Sequence, residues 1–275
     1  MNTAIILSYD GTAYHGWQTQ RNASSVQQTV TEALASLLGQ DVSVSGVGRT
    51  DAGVHARRYV ANFHGTHTIP MDRLPFAINA HLPMDIAVSG AALVPDDFDA
   101  RFNCTRKEYT YLIAPGKIRD PFAVSRSYFY PYSLDVDAMQ QAAQYFIGKK
   151  DFAAVRSVGT PVKSTVREIF TCSADAVGAL VRIRVSADGF LYNMVRAISG
   201  TLLYRFRIGF LFCRIHHSVG PATEPFHRLS VPFFCFLQDP PEADDVVFSG
   251  IISFPGILHF SVPPFAYRTF VLFIF

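Results

Sequence analysis

The run Gly48-Arg49-Thr50-Asp51-Ala52-Gly53-Val54-His55-Ala56 carries the side chains best placed to do chemistry. It follows a predicted strand over 42–47, so an arginine and a carboxylate are delivered onto a turn flanked by glycines. Glycine lets the backbone approach a ligand closely. A carboxylate there can act as a nucleophile or a base, and an arginine can bind phosphate. Alternatively, Asp51 caps the turn and Arg49 pairs with it at the surface. The residue types alone leave both interpretations open.

The composition is that of a globular protein. The chain has 275 residues, 49% hydrophobic and 17% charged, which suits one large or two modest domains. A formal net charge of +2 permits a nucleic-acid partner but does not argue for one. The spacing of the four cysteines suggests neither a zinc site nor a disulfide framework. No secretory signal is recognised before Asp10, so we expect a cytoplasmic protein with reduced thiols.

Hydrophobic periodicity predicts strands and helices in alternation. A helix is predicted over 25–38, with Ser25 and Gln28 as a capping box and Gly39 at its C-terminal end. Further helices are predicted over 71–82, 134–146 and 191–204, and strands over 4–9, 42–47, 86–94, 109–114 and 180–185. No phosphate-binding glycine loop accompanies them. An α+β, ferredoxin-like fold is therefore favoured over a doubly wound nucleotide-binding fold.

The composition changes at Arg205. Residues 205–275 contain no lysine but hold 14 of the 24 phenylalanines and 8 of the 16 prolines. A membrane span is not predicted there, because Pro255, Pro263 and Pro264 interrupt the charge-free stretch 246–267. We therefore divide the chain into an N-terminal α/β subdomain (1–103), a C-terminal α/β subdomain (104–204) and an atypical tail (205–275).

The nine residues 48–56 match the signature of TruA-type tRNA pseudouridine synthases, and the chain resembles that family from Met1 to about Tyr204. Other matching segments occur in the family's order: Tyr9-Asp10-Gly11-Thr12, Gly16-Trp17-Gln18, Asp97-Phe98, Ala100-Arg101-Phe102, Tyr109-Thr110-Tyr111 and Phe190-Leu191-Tyr192-Asn193-Met194-Val195-Arg196. The resemblance implies two ferredoxin-like or RRM-like subdomains with mainly antiparallel sheets, meeting at a central basic cleft. It also implies a homodimer that binds the anticodon stem-loop of tRNA.

The resemblance implies isomerisation of uridines at tRNA positions 38 to 40, with no metal and no cofactor. Asp51 would be the nucleophile, forming a covalent or ion-paired intermediate while the uracil is detached from C1′, rotated and rejoined through C5. Arg196 would form an ion pair with Asp51, which keeps the carboxylate ionised. Tyr109 would stack on the base and assist proton removal. Without the resemblance, Arg196 reads as a solvated helix residue and Tyr109 as a half-buried strand aromatic.

Substrate-binding roles also follow from the resemblance. Arg49 would occupy the space left by the extruded nucleotide, and Leu191 would pack near the base. Arg57 and Arg58, like other loose basic groups, could follow the phosphates of the tRNA arm, although each alone is equally a solvated surface charge. His55 is expected to have a structural role as a hydrogen-bonded scaffold residue.

Beyond Tyr204 the sequence departs from the family, whose expected C-terminal motif finds only a faint echo in 220–229. Translation in a shifted reading frame would produce such a change, and an unusual natural extension is the alternative. A frame-shifted tail predicts poor solubility, protease sensitivity and weak activity. A tRNA-binding protein without catalysis is the competing function. A phosphotransferase with an aspartate nucleophile is a third, but no metal-binding acidic cluster stands near Asp51 in the sequence.

Overall fold

The fold is α+β, as the sequence predicts. The computed structural model describes residues 1–157 and 162–204, with the backbone of short strands at 247–248, 250–251 and 271–272. The strands are β1 (Asn2–Tyr9), β2 (Val44–Gly46), β3 (His55–His64), β4 (Ile86–Val94), β5 (Lys107–Pro115), β6 (Tyr128–Tyr130), β7 (Gly148–Asp151), β8 (Val166–Val177), β9 (Leu180–Ala187), β10 (Val247–Phe248), β11 (Gly250–Ile251) and β12 (Val271–Leu272). The helices are α1 (Val26–Leu38), α2 (Leu74–Asn79), α3 (Val136–Ala143) and α4 (Met194–Tyr204). Single 3₁₀ turns lie at Pro121–Ala123, Gln144–Phe146 and Ala153–Val155.

The described strands other than β11 and β12 form one sheet. Its order is β4-β1-β3-β10-β5-β9-β8-β7, with β2 added to β3 and β6 to β5. The long pairings β1–β3, β1–β4, β5–β9 and β8–β9 are all antiparallel. This arrangement places the start of β3, which includes the last two residues of the Gly48–Ala56 signature, near the start of β5, which carries Tyr109.

Two separate hydrophobic cores lie along this sheet. In the N-terminal half, Val26, Val30 and Leu34 bury one face of α1 against β1 and β3. In the second half, α3 and α4 cover β5, β8 and β9 through side chains that include Met139 and Leu202. Each half thus buries its own apolar surface, which is what two subdomains require. The residue numbers at which we divide them stay a prediction.

Helix α1 begins and ends at the residues that its predicted capping signals indicate. The side chain of Ser25 caps the helix by accepting from the backbone N–H of Gln28 at 3.3 Å. Gly39 ends it in the left-handed conformation, with φ of 63°. The Ser25 half of the predicted capping box is thus formed, and the side-chain N–H of Gln28 donates along the helix to Glu32 at 2.8 Å.

Several predicted boundaries need correction. Helix α2 spans six residues because a turn occupies 71–73, before Leu74 and Pro75. Helix α3 ends at Ala143 and continues only as a 3₁₀ turn. Helix α4 begins at Met194 rather than at 191, because Asn193 has a positive φ of 56° that no α-helix accommodates.

The tail lies almost wholly outside the described residues. Only the strand backbones β10, β11 and β12 are described there, and β10 pairs with both β3 and β5. The expectations about the reading frame, solubility and protease sensitivity of 205–275 therefore lie outside the described residues. No helix in the part of the chain that is described is long and apolar enough to cross a membrane.

Candidate active site

The loop that joins β2 to β3 presents Asp51 to solvent. Arg49 and Asp51 are exposed, whereas Thr50 between them is buried. Two hydrogen bonds hold Thr50 in place. Its hydroxyl lies 3.1 Å from the Tyr9 hydroxyl, and its carbonyl accepts from the Trp17 N–H at 3.2 Å. Because the buried Thr50 is held in this way, the backbone that carries the exposed side chains of Arg49 and Asp51 has a defined position.

The segment 9–17 clamps this loop through direct backbone contact. A Cβ placed on Gly16 would lie 2.2 Å from the Thr50 carbonyl oxygen, and one on Gly11 would lie 1.9 Å from that of Val54. Gly16 also has a φ of 87°. Gly53 donates its N–H to the Tyr14 carbonyl at 3.1 Å, again with a positive φ. Only glycine permits this approach, so these residues are required for the loop's geometry.

Stacked aromatic side chains support the start of the loop. The Trp17 and Tyr59 rings stack with centroids 4.1 Å apart. The Tyr59 hydroxyl donates to the Gly48 carbonyl and accepts from the Gly48 N–H at 3.3 Å. Both backbone groups of Gly48 are therefore satisfied by one buried side chain, and this rigidity is what a preorganised catalytic group needs.

Tyr109 lies beside the loop, on β5. Its ring is half-buried and meets the ring of Phe190 edge-to-face, with centroids 4.5 Å apart. Burial raises the pKa of Tyr109 well above its usual value, and the negative charge of Asp51 raises it further. The phenol is consequently neutral near pH 7. The sequence did not single out Phe190 as the partner of Tyr109, although the two belong to matching segments.

The segment before α4 is held in a strained conformation. Asn193, at its positive φ, donates its side-chain N–H to the Ser157 hydroxyl at 3.0 Å, and the Ser157 N–H donates to the Tyr192 carbonyl at 3.0 Å. These bonds fix the chain between buried Leu191 and half-buried Arg196. Strain of this kind is often kept at functional sites. The ion pair between Arg196 and Asp51 stays a prediction.

His55 joins the Gly48–Ala56 loop to the second half through hydrogen bonds, as expected of a hydrogen-bonded scaffold residue. Its Nε2 lies 2.6 Å from the Ser125 carbonyl oxygen, and its Nδ1 lies 3.2 Å from the Gly11 nitrogen. Asp10 lies 3.1 Å from that Nδ1 and also accepts from Arg126 at 2.8 Å. Two bridges therefore tie residues 125–126 to the loop. No local pattern points to Ser125 or Arg126, because their partners His55 and Asp10 lie 70 and 116 positions away.

Some of the predicted basic residues are exposed to solvent, and others are held by contacts within the protein. Arg57 and Arg58 are exposed on β3, and Arg57 lines a cleft of about 510 Å³ beside Asp10, His55 and Arg126. Burial lowers the pKa of Arg57, and the charge of Arg126 lowers it further. Arg106 is structural, since its Nε donates to the Ser186 hydroxyl at 2.6 Å and its guanidinium lies over a phenylalanine ring.

This arrangement suits a reaction that uses a carboxylate and an aromatic phenol. A carboxylate exposed on a rigid loop can act as a nucleophile, and an aromatic ring next to it offers a stacking surface for a planar substrate. Within the described residues, no three His, Cys, Asp or Glu side chains are grouped as metal ligands. Nothing in that part of the chain thus supplies the acidic cluster that the phosphotransferase alternative requires.

Fold and site define an α+β enzyme with a carboxylate exposed on a tightly packed loop, and comparison with known families makes the assignment specific. A family model described as tRNA pseudouridine synthase matches residues 5–103 and 142–209. The chain belongs to this family, and it is therefore an isomerase by class.

Curated relatives agree with the family assignment. A protein of Caldicellulosiruptor bescii is 44% identical over 202 residues, covering 74% of this chain and 83% of the relative. One from Acetivibrio thermocellus gives the same identity and coverage. A third, from Ruminiclostridium cellulolyticum, is 45% identical over 201 residues, covering 73% of this chain and 82% of the relative. All three are called tRNA pseudouridine synthase A.

Proposed function

We propose that this enzyme isomerises uridine to pseudouridine in the anticodon arm of tRNA, with Asp51 as the nucleophile. The observation that carries the proposal is the exposed carboxylate of Asp51 on a loop immobilised by Thr50 and by the glycine contacts of the 9–17 segment. Tyr109 lies close enough for the charge of Asp51 to affect its pKa. Membership of the tRNA pseudouridine synthase family supports the substrate, and the resemblance supports the anticodon arm.

The proposed reaction rearranges one nucleotide without a cofactor. The bond between C1′ and N1 of the uracil breaks while Asp51 forms a covalent or ion-paired intermediate. The base then rotates, a bond forms between C1′ and C5, C5 loses its hydrogen as a proton, and N1 gains one. Atoms and charges balance with no added reactant. The enzyme's contribution is positioning and a nucleophile.

Tyr109 has two successive roles in this proposal. Its neutral phenol first stacks on the base, while the charge of Asp51 opposes ionisation of the hydroxyl. If Asp51 becomes covalently attached to the substrate, that charge disappears and the pKa of Tyr109 falls. The phenol can then give up its own proton, which ends on N1, and its oxygen takes up the proton that leaves C5. The charge of Asp51, added to the effect of burial, would thus influence when Tyr109 can act as a base.

The other site residues bind the substrate. Arg196 pairs with Asp51 and keeps it ionised, Arg49 fills the space of the extruded nucleotide, and Leu191 packs against the base. The exposed side chains of Arg57 and Arg58 contact tRNA phosphates. We further propose that the enzyme acts in the cytoplasm as a homodimer, as the resemblance implies.

Turnover on an unmodified tRNA transcript tests this function. The full chain should convert a uridine in the anticodon arm, and mapping of the modified nucleotide should place it at one of positions 38 to 40. Pseudouridine elsewhere in the tRNA would contradict the anticodon-arm assignment. Tight tRNA binding without any conversion would favour the alternative of a tRNA-binding protein that lacks catalysis.

A further inference from the structure

Lys107 approaches the catalytic loop from the same strand as Tyr109. The two residues are two positions apart on β5, so their side chains leave the same face about 7 Å apart. Tyr109 lies near Asp51, whereas Lys107 reaches Gly48 at the other end of the loop. A Cβ placed on Gly48 would be 3.2 Å from the Lys107 Nζ. One strand face therefore covers both ends of the loop.

The ammonium group of Lys107 lacks a compensating charge among residues 1–157 and 162–204. It has no ion pair or side-chain hydrogen bond there. The side chain is half-buried, and this burial lowers the pKa of Lys107. Nearby Arg101 is a second cation, and burial raises the pKa of the Cys104 thiol, which keeps it neutral. Partly desolvating a cation without an anion is costly.

We propose that Lys107 is a substrate-binding residue that contacts the RNA phosphate on the 5′ or 3′ side of the target nucleotide. An RNA phosphate supplies the missing negative charge, and a lysine ammonium binds it as a point charge. Arg49 follows Gly48 directly and is exposed. The phosphate would therefore lie where the RNA backbone passes between Arg49 and Lys107. This inference rests on the proposed function, because it requires RNA as the substrate.

The test compares Lys107→Gln with Lys107→Arg and with a control, Lys149→Gln. Lys149 is exposed on β7 at the far edge of the sheet, so its replacement removes the same charge away from the loop. Affinity of the full chain for an anticodon stem-loop RNA is measured as a function of salt concentration. Lys107→Gln should weaken binding about tenfold and reduce the slope of log affinity against log salt by about 0.7 to 0.9. Lys107→Arg and Lys149→Gln should change neither appreciably.

A neutral methylphosphonate placed 5′ or 3′ to the target uridine locates the contact. One of the two replacements should weaken binding by the wild type about tenfold and have no further effect on Lys107→Gln. The assignment of Lys107 would be overturned if the methylphosphonate weakened RNA binding equally in the wild type and in Lys107→Gln, or if the salt slope of Lys107→Gln were unchanged. The proposed function would survive either result as long as the wild type forms pseudouridine. If the wild type did not bind the RNA, the proposed function and this contact would both be wrong. Thermal unfolding distinguishes a structural role of Lys107 from phosphate binding, because only the structural role predicts a lower melting temperature for Lys107→Gln.

Discussion

At the scale of single residues, the proposed chemistry depends on how Asp51 affects Tyr109. In the proposed reaction the carboxylate is the nucleophile, and its charge adds to burial in raising the pKa of Tyr109, so the hydroxyl of Tyr109 matters most after the intermediate forms. The ring has a separate role, because it packs against Phe190 and offers a stacking surface. The two roles can be separated by removing the hydroxyl alone.

Tyr109→Phe should slow turnover much more than it weakens tRNA binding. The ring and its contact with Phe190 survive, so affinity should stay within about threefold, whereas loss of a general base costs roughly 10²-fold or more. Single-turnover rates and equilibrium binding, measured on the same tRNA, distinguish the two effects. A collapse in affinity with an unchanged single-turnover rate would make Tyr109 a recognition residue.

At the scale of secondary-structure elements, the 9–17 segment determines the shape of the catalytic loop. Gly16→Ala should destabilise the protein by roughly 2–5 kcal/mol, because a Cβ would clash with the Thr50 carbonyl and the positive φ is unfavourable for alanine. Gly39→Ala is the matched control. It also has a positive φ, but its Cβ would meet nothing within 4 Å, so it should cost only about 1–2 kcal/mol. Urea unfolding measures both, and equal costs would show that the contact with the loop is unimportant.

His55 links the catalytic loop to the second half, and two substitutions separate its two contacts. Glutamine places an N–H near the position of Nε2 and preserves the bond to Ser125, whereas asparagine preserves only the contact near Gly11. If the bridge to Ser125 aligns the two halves, His55→Asn should reduce the single-turnover rate roughly tenfold and His55→Gln should reduce it less. Binding should be similar in both variants. If the single-turnover rates of the two variants fall only in step with their melting temperatures, His55 has a role in stability alone.

How much of this could be read from the sequence varies from element to element. Helix α1 was predictable because its cap, apolar face and terminal glycine all agree. Strand β3 was not, since Tyr59 to Phe63 are all buried and the alternation of a half-exposed strand is absent. The Asp51 loop could be located from the sequence because its family signature lies in nine consecutive residues. Its contacts with Ser125 and Lys107 depend on how distant strands meet, which local patterns do not encode.

At the scale of the whole molecule, buried tyrosines make stability sensitive to alkaline pH. Burial raises the pKa values of Tyr9, Tyr59 and Tyr109 in the folded state, whereas in the unfolded chain they ionise near pH 10. Above that pH the unfolded state binds fewer protons than the native state, so stability falls as pH rises. The loss should reach about 1.4 kcal/mol per pH unit for each tyrosine. Urea unfolding between pH 8 and 11 measures it.

A tyrosine variant provides the control for that experiment. Tyr109→Phe removes one of the contributing groups, so its stability should fall less steeply above pH 10 than that of the wild type. Below pH 9 the two proteins should show parallel, nearly flat profiles. A wild-type profile that stays flat through pH 11 would mean that these hydroxyls ionise freely in the folded state, contrary to their burial.

The most direct test of the central claim is the activity of Asp51→Asn on tRNA labelled with tritium at C5 of uridine. Formation of the new bond to C5 releases that hydrogen to water, so the label reports isomerisation itself. The substitution is nearly isosteric and leaves the anchored neighbour Thr50 untouched, so the circular dichroism spectrum and tRNA affinity should match the wild type. Tritium release should fall by several orders of magnitude, because the ionised nucleophile is gone. Tritium release at a near-normal rate by correctly folded Asp51→Asn would contradict the account.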